Sequence, residues 1–321
     1  MQKILVTGCA GFIGSHLTER LLSENYIVVG VDNFDPFYCR KTKERNLAGF
    51  INHPNFTFHE IDLCNEELVN NLLKDHYDCI VHLAAKAGVR PSIEDPQSYI
   101  DTNISATRTL LDLMKNSGTN KMVFSSSSSI YGNLKDTPWK ETLDVSQPIS
   151  PYAFSKKACE LLNHTYHHLY NLDIINVRFF TVFGPRQRPD LAINKFTRLL
   201  YQNKPIPMFG DGSTARDYTF IQDIVSGIIK SIEYLKKNNK VFENINLGNK
   251  TPVKLLDLIH EIANITGKQL KIDQLPMQPG DVSNTCADIS KAEKLIGYHP
   301  ETSLKGGLEA FNNWYLQTEK E

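Results

Sequence analysis

Three glycines spaced three and three, in Val6-Thr7-Gly8-Cys9-Ala10-Gly11-Phe12-Ile13-Gly14, follow an apolar run and open a helical pattern. Few architectures accept that arrangement. Gly8 permits a tight turn, Gly11 lets the backbone approach a phosphate with no Cβ in the way, and Gly14 lets the helix pack closely on a sheet. The first helical turn, with Phe12 and Ile13, then presents free N–H groups and a partial positive charge to an anion. Asp32 ends the second apolar run, 18 residues beyond Gly14. A carboxylate there accepts bonds from ribose hydroxyls and repels a 2′-phosphate, which favours NAD over NADP. Asp62 and Leu63 after the third run hold the matching place beside an adenine, although an aspartate there also suits an ordinary turn.

Short β-rich runs alternate with helical patterns through the first half of the chain: Lys3 to Thr7, a helix from Phe12 to Ser23, then Ile27 to Val31. This is the rhythm of an α/β fold with a doubly wound parallel sheet. Further strands are expected at Phe56 to Glu60, Cys79 to Leu83, Met122 to Ser125 and Ile174 to Phe179, and covering helices at Ser98 to Lys115 and Pro151 to Tyr170. Beyond Gly184 the prolines at 185, 189, 205 and 207 break the rhythm. Residues 1–179 are therefore expected to form the dinucleotide-binding domain and 180–321 a smaller α/β lobe, with 219–247 returning to the sheet. A helix is expected to open with Thr251 as cap and Pro252 at its first position, and to stop at Gly267. The serine run Ser125 to Ser129 leaves a strand at its carboxyl edge, where such sheets bind ligands.

Lys and Arg number 35 against 36 Asp and Glu, for a net charge of −1. No global field holds a polyanion, so no nucleic-acid partner is expected. Six cysteines without a C-x-x-C pair indicate neither zinc nor a disulfide framework. No apolar run reaches the roughly 18 residues of a membrane helix, and no signal peptide is visible, so the expected compartment is the cytoplasm without membrane insertion.

Tyr152 and Lys156 stand four apart in a predicted helix and share a face. A phenol is a poor base near neutrality, but a neighbouring ammonium and a nicotinamide cation favour the phenolate. Tyr152 can then take a proton from a substrate hydroxyl. A serine at the strand end, 25 residues earlier, would bond the same oxygen. Ser127 has that separation, with Ser128 and Ser129 left open because one residue's shift turns a strand side chain away.

With His82-Leu83-Ala84-Ala85, Asn103, Arg178-Phe179-Phe180 and the stretch Gly210 to Tyr218, these motifs make the whole chain resemble an extended short-chain dehydrogenase/reductase of the nucleotide-sugar epimerase and dehydratase branch. The resemblance implies a Rossmann domain with tightly bound NAD, held also by Asn33, Leu83, Ala84, Ala85, Lys86 and Asn103, and a lobe binding a UDP-sugar. Members that dehydrate or decarboxylate usually carry a glutamate two residues before the tyrosine of the Tyr-Gly pair, where this chain has Ser129, with Ser128 before it. The resemblance therefore implies 4-epimerisation through a 4-keto sugar, with Tyr152 as acid-base, Lys156 keeping it ionised and Ser127 on the forming carbonyl.

Thr181, the segment Asp32-Asn33-Phe34 with Phe37-Tyr38, and Met277 to Val282 resemble the glucuronate-epimerising group. The stretches Ala87 to Ser92 and Gly184 to Asp190 resemble glucose-type epimerases, and Lys86 replaces a glutamine usual in the glucuronate group. Arg186 and Arg188 offer a guanidinium fork to a sugar carboxylate, or else bind the diphosphate or face solvent. The resemblance assigns Arg216 to the diphosphate and Asp281 to the uridine ribose, and adds Arg90, Ser128 and Ser129 around the sugar. Arg178, Arg186, Arg188, Lys195, Arg198 and Arg216 all fall in the stretch expected to meet one diphosphate. UDP-glucuronate is the first expectation for the substrate, ahead of UDP-glucose, UDP-galactose or a UDP-N-acetylhexosamine. A UDP-glucuronate decarboxylase and a non-catalytic NAD-binding regulator are the other readings. The two covering helices resemble those that pair in a homodimer.

Overall fold

The computed structural model describes residues 2–277 and 282–318. Its sheet is built from β1 (Lys3–Thr7), β2 (Ile27–Asp32), β3 (Phe56–Glu60), β4 (Cys79–His82), β5 (Lys121–Ser127), β6 (Asp173–Phe179) and, returning from later in the chain, Phe242–Leu247. The order runs from that last strand through β6, β5, β4, β1, β2 to β3, and every pairing is parallel. The winding reverses between β1 and β4. A crevice opens there at the carboxyl edge.

Five of the strands read as continuous apolar runs because both faces are buried. Ile4, Val6, Val28 and Val81 face one core with Leu17 and Leu21, while Leu5, Val29, Val31 and Ile80 face the other with Leu110 and Leu111. The covering helices are α1 (Phe12–Ser23), α2 (Arg40–Ala48), α3 (Glu66–Leu72), α4 (Val89–Glu94), α5 (Pro96–Tyr99), α6 (Ala106–Ser117) and α7 (Pro151–Tyr170). Past β6 the chain forms β7 (Thr181–Phe183), α8 (Ala192–Tyr201), β8 (Ile206–Phe209), β9 (Ala215–Phe220), α9 (Ile221–Lys237) and the returning strand, β10. It ends with β11 (Pro252–Lys254), α10 (Leu255–Thr266), β12 (Ile272–Leu275), α11 (Ser290–Ile296) and α12 (Leu304–Thr318). Two small sheets, β11-β9-β7 and β12-β8, stand apart from the large one.

One sequence expectation is modified and one fails. The helix expected over Ser98 to Lys115 forms without a break but changes pitch: α5 reaches Tyr99, Ile100–Ser105 winds as a wider π-turn, and α6 continues from Ala106. The π-turn turns Asn103 inward, where it donates to Lys86 O at 3.0 Å and Ser155 Oγ at 2.9 Å and accepts from Lys86 N at 2.8 Å. Those three bonds repay the irregular turn. Thr251 and Pro252, by contrast, do not start a helix. Pro252–Lys254 extends along β9 in antiparallel register, and α10 begins at Leu255. An available strand edge outcompetes a local helix signal, while Gly267 ends α10 at φ +62° as expected.

His82 ties β4 to its neighbours through a fixed chain of donors. Leu83 N and Ala84 N both donate to Thr7 Oγ1 at 3.1 Å, which leaves the Thr7 hydroxyl hydrogen for His82 Nδ1 at 2.8 Å. His82 Nε2 then carries the ring proton to Thr107 Oγ1 at 3.2 Å, and Thr107 passes its own to Asn103 O at 2.7 Å. A second ring proton would have no acceptor. Burial, helped by the Lys156 charge, pushes the His82 pKa from 6.5 down to about 3. Burial acts likewise on His16, to about 4. The unfolded chain therefore binds protons that the folded one refuses. This stability is complete above pH 6.5 and is lost as pH falls through 6.5 toward 3, by about 2 kcal/mol at pH 5 for His82 alone. Urea midpoints at pH 7.5 and 5 are expected to differ less for His82→Gln than for the parent; an unchanged difference would contradict the linkage.

Candidate functional site

The crevice between β1 and β4 is floored by the glycine turn. A Cβ on Gly14 would lie 2.1 Å from Gly8 O, and one on Gly8, at φ +72°, would lie 2.9 Å from Ala84 N. No side chain fits at either position. A Cβ on Gly11 would meet only Gly8 O at 3.1 Å and the Tyr38 hydroxyl at 3.9 Å. Gly11 thus lines open space rather than packed protein, which is what close approach of a pyrophosphate requires. It caps α1 with no side chain on the helix N-terminus and no acid in the first turn, so the N–H groups are available to an anion.

Asp32 is buried at the end of β2. Its Oδ1 accepts from Phe34 N at 2.9 Å and Lys43 Nζ at 3.2 Å, and its Oδ2 from Ala10 N at 3.2 Å. One lone pair on Oδ2 remains for a ribose hydroxyl. Lys43 escaped the sequence reading, since nothing in a helix 11 residues on marks it as the partner of this acid. It offsets the repulsion expected against a 2′-phosphate, so acceptance of a hydrogen bond is what Asp32 contributes. At the rim Asn33 Nδ2 donates to Asp62 Oδ2 at 3.2 Å. Leu63 and Phe12 bury their side chains in the core and offer only backbone to the crevice.

Helix α7 begins cleanly: Ser150 Oγ accepts from Ala153 N at 3.1 Å and Pro151 takes the first position. Tyr152 and Lys156 lie one turn apart, as their spacing predicts. Lys156, 3% exposed, donates to Ser125 O at 2.6 Å and stands 5.0 Å over the Phe124 ring. Burial lowers its pKa from 10.5 to about 8, against the pull of Cys159 and Glu160. The Tyr152 pKa is raised by burial, and the groups that pull it down are the Ser127 hydroxyl and the Arg188 charge.

The strand sets which way its last serines face. Ser126 turns to the opposite face, donating to Glu160 Oε1 at 2.7 Å, and Ser127 turns toward Tyr152. Ser127 Oγ accepts from Ser129 N and donates to Ser129 Oγ, both at 3.1 Å, while Ser128 is half-buried in the turn. Neither Ser128 nor Ser129 supplies a carboxylate.

Of the six basic residues expected around one diphosphate, Arg178, Arg186 and Arg198 turn elsewhere. Arg178 lies in the core, bidentate on Glu160 at 2.9 and 3.0 Å, with Tyr131 on its remaining nitrogen at 2.9 Å. Arg186 takes φ +63°, which turns it across the loop onto Glu19 of α1 at 2.8 Å. Its expected fork with Arg188 is thereby undone. Arg188 faces the crevice over the Phe37 ring at 5.0 Å, with Asp190 at 2.9 Å, and its charge reaches Tyr38, Tyr99 and Tyr152. Arg198 lies elsewhere, in a cavity shared with Arg186. Thr181 starts β7 beside the crevice, half-buried; Arg216 extends along β9 and Arg90 stacks 5.4 Å from Phe209. Ala85 and Lys86 follow β4, and Asp281 lies outside the described residues. Among the described residues no group of His, Cys, Asp or Glu is arranged to hold a metal ion.

Comparison with known proteins comes to the same place. Residues 5–311 match the family model described as GDP-mannose 4,6 dehydratase. A UDP-glucuronate 4-epimerase of Thermodesulfobacterium geofontis is 45% identical over 316 residues, covering 98% of this chain and 96% of that relative. The crystal structure of a UDP-glucuronic acid 4-epimerase from Bacillus cereus, in complex with UDP-glucuronic acid and NAD, superposes with a TM-score of 0.93 at 39% identity, over 99% of this chain and 100% of that one. The UDP-glucose 4-epimerase of Thermotoga maritima with UDP-glucose gives 0.90 at 30% identity, over 99% and 100%.

Proposed function

The chain belongs to the GDP-mannose 4,6-dehydratase family of extended short-chain dehydrogenases/reductases, and from that premise we propose that it interconverts UDP-glucuronate and UDP-galacturonate with a resident NAD. The glycine turn, the uncapped start of α1 and the spare lone pair of Asp32 fit the pyrophosphate and ribose of that cofactor. NAD, when bound, supplies reversible oxidation at the sugar C4.

The chain's own residues handle the proton. As the phenolate, Tyr152 Oη takes it from the 4-hydroxyl and later returns it, so the tyrosine ends each cycle ionised, as it began. The Ser127 hydroxyl bonds the same sugar oxygen and holds it in place while its charge changes. Lys156, anchored on Ser125 O, keeps a positive charge beneath the site at neutral pH and favours the phenolate that accepts the proton. The hydroxyls of Ser128 and Ser129 stand where elimination or decarboxylation would need a carboxylate, which supports epimerisation alone.

The observation that carries the choice of sugar is Arg188: a guanidinium over the Phe37 ring, close enough to act on Tyr152, where a sugar carboxylate needs a counter-charge. Its pairing with Asp190 favours the second reading, a neutral UDP-hexose, because that carboxylate already answers the arginine. The two are separated by incubating the purified protein with each UDP-sugar and resolving C4 epimers by NMR. UDP-glucuronate is expected to turn over, and Arg188→Leu to lower kcat/KM for it by about 30-fold or more, as loss of a buried charge pair does, while UDP-glucose is affected far less. Turnover of UDP-glucose alone, or a UDP-pentose with carbon dioxide, would contradict the proposal.

A homodimer through α7 is part of the same proposal. Phe154, Leu161 and Leu169 lie 46%, 57% and 58% exposed along one stripe of that helix, an apolar face that pairs well with a second copy of itself. The six free thiols support a reducing, cytoplasmic setting. Sedimentation should give twice the chain mass; a concentration-independent monomer would contradict the pairing.

A further inference from the structure

The segment between β2 and α2 is wound too regularly to be a passive connection. Asp32 Oδ1 accepts from Phe34 N at 2.9 Å, Asn33 Oδ1 from Asp35 N at 3.0 Å, and Asp35 Oδ1 from Phe37 N at 2.9 Å. These three side-chain turns in succession, with Phe34 at φ +50°, fold the chain back over the glycine turn. Phe34 is buried edge-on to Phe58, with ring centres 5.6 Å apart, and anchors the segment at its base.

Tyr38 is the side chain this arrangement carries to the crevice. Its hydroxyl stands 3.9 Å from the point a Cβ on Gly11 would occupy, at the glycine where a pyrophosphate comes closest to the backbone. Tyr38 is half-buried, and its hydroxyl forms no hydrogen bond among the described residues. A phenol drawn this far into a protein normally finds a partner. The ring is held from behind, where Lys43 Nζ lies 5.2 Å from its centre and is itself fixed on Asp32 Oδ1 at 3.2 Å. Burial, with the Asp32 charge, raises the phenol pKa, so at neutral pH the group is a donor and not an anion that would repel a phosphate. The neighbouring Phe37 ring carries Arg188, whose Nη1 reaches Ala87 O at 3.5 Å. The segment after β2 and the loop after β4 are thereby bridged.

We propose that Tyr38 is a cofactor-holding residue whose hydroxyl donates to a pyrophosphate oxygen of NAD beside the N–H groups of α1. The glycine turn leaves room for the anion, and Tyr38 covers that room and slows the anion's departure. The inference rests on the resident NAD of the proposed function and adds the side chain that retains it.

The test follows release of radiolabelled NAD from the loaded protein during a chase with excess unlabelled NAD, together with phosphorus NMR of the loaded protein. Tyr38→Phe keeps the ring beside Lys43 and removes only a hydroxyl that bonds nothing among the described residues, so the fold is kept. It is expected to release NAD about ten-fold faster or more, as loss of a hydrogen bond to a charged group does, and to shift one of the two phosphorus resonances of the bound cofactor. Tyr38→Leu, which also removes the ring, should release NAD at least as fast as Tyr38→Phe. Release from Tyr38→Phe at the parent's rate, with only Tyr38→Leu faster, would show that the ring merely packs and would overturn the proposal. Phosphorus resonances unmoved in Tyr38→Phe would overturn it as well. Both results would leave the NAD assignment standing, whereas a parent protein that holds no NAD would overturn that assignment and this inference with it.

Discussion

The close passage of Gly14 over Gly8 sets the geometry from which the rest of the site follows. With 2.1 Å between Gly8 O and the place a Cβ would occupy, helix α1 lies flush on the strand it leaves, and its open end meets the crevice instead of overshooting it. Gly8 repeats the constraint against Ala84, so the turns after β1 and β4 are locked edge to edge. Thr7 and His82 close that lock with hydrogen bonds that run on through Thr107 to Asn103. Asn103 in turn holds Ser155, in the first turns of α7 between Tyr152 and Lys156. The glycine turn and the turn of α7 that carries Tyr152 and Lys156, the proposed cofactor cradle and acid-base pair, are thus parts of one connected structure.

Burial dominates the electrostatics of that structure. It raises the Tyr152 phenol and lowers the Lys156 ammonium. Each change alone would disfavour reaction. Together they leave a lysine whose charge needs outside support, and the Glu160 carboxylate one turn below supplies part of it. Glu160 is itself fixed by Arg178 and Ser126. A buried ion pair of this kind adds little net stability against an apolar replacement; here it ties β5 and β6 to α7.

Much of this was legible in the chain. The glycine turn, the boundaries of β1, α1, β3 and α7, and the facing of Tyr152 and Lys156 are local consequences of spacing, and local physics decided them. The serine run was legible as a strand end, but only the pairing of β5 with its neighbours shows that Ser127 and Ser126 face opposite ways. What escaped depends on partners distant in sequence. Lys43 is ordinary until β2 brings Asp32 beside it, and the π-turn exists because Asn103 finds Lys86 and Ser155. The arginines follow the same rule, since proximity along the chain is not proximity in space: one residue at positive φ sends Arg186 away from Arg188.

The central claim is that the sugar is oxidised and reduced at C4 alone, within one closed site. It is tested most directly by supplying UDP-glucuronate deuterated at C4 to the purified protein in ordinary water, with no added cofactor, and following the label by NMR. The account predicts UDP-galacturonate that keeps its deuterium at C4, with no solvent hydrogen there. Loss of the label to water, or inversion accompanied by solvent exchange at C5, would contradict it.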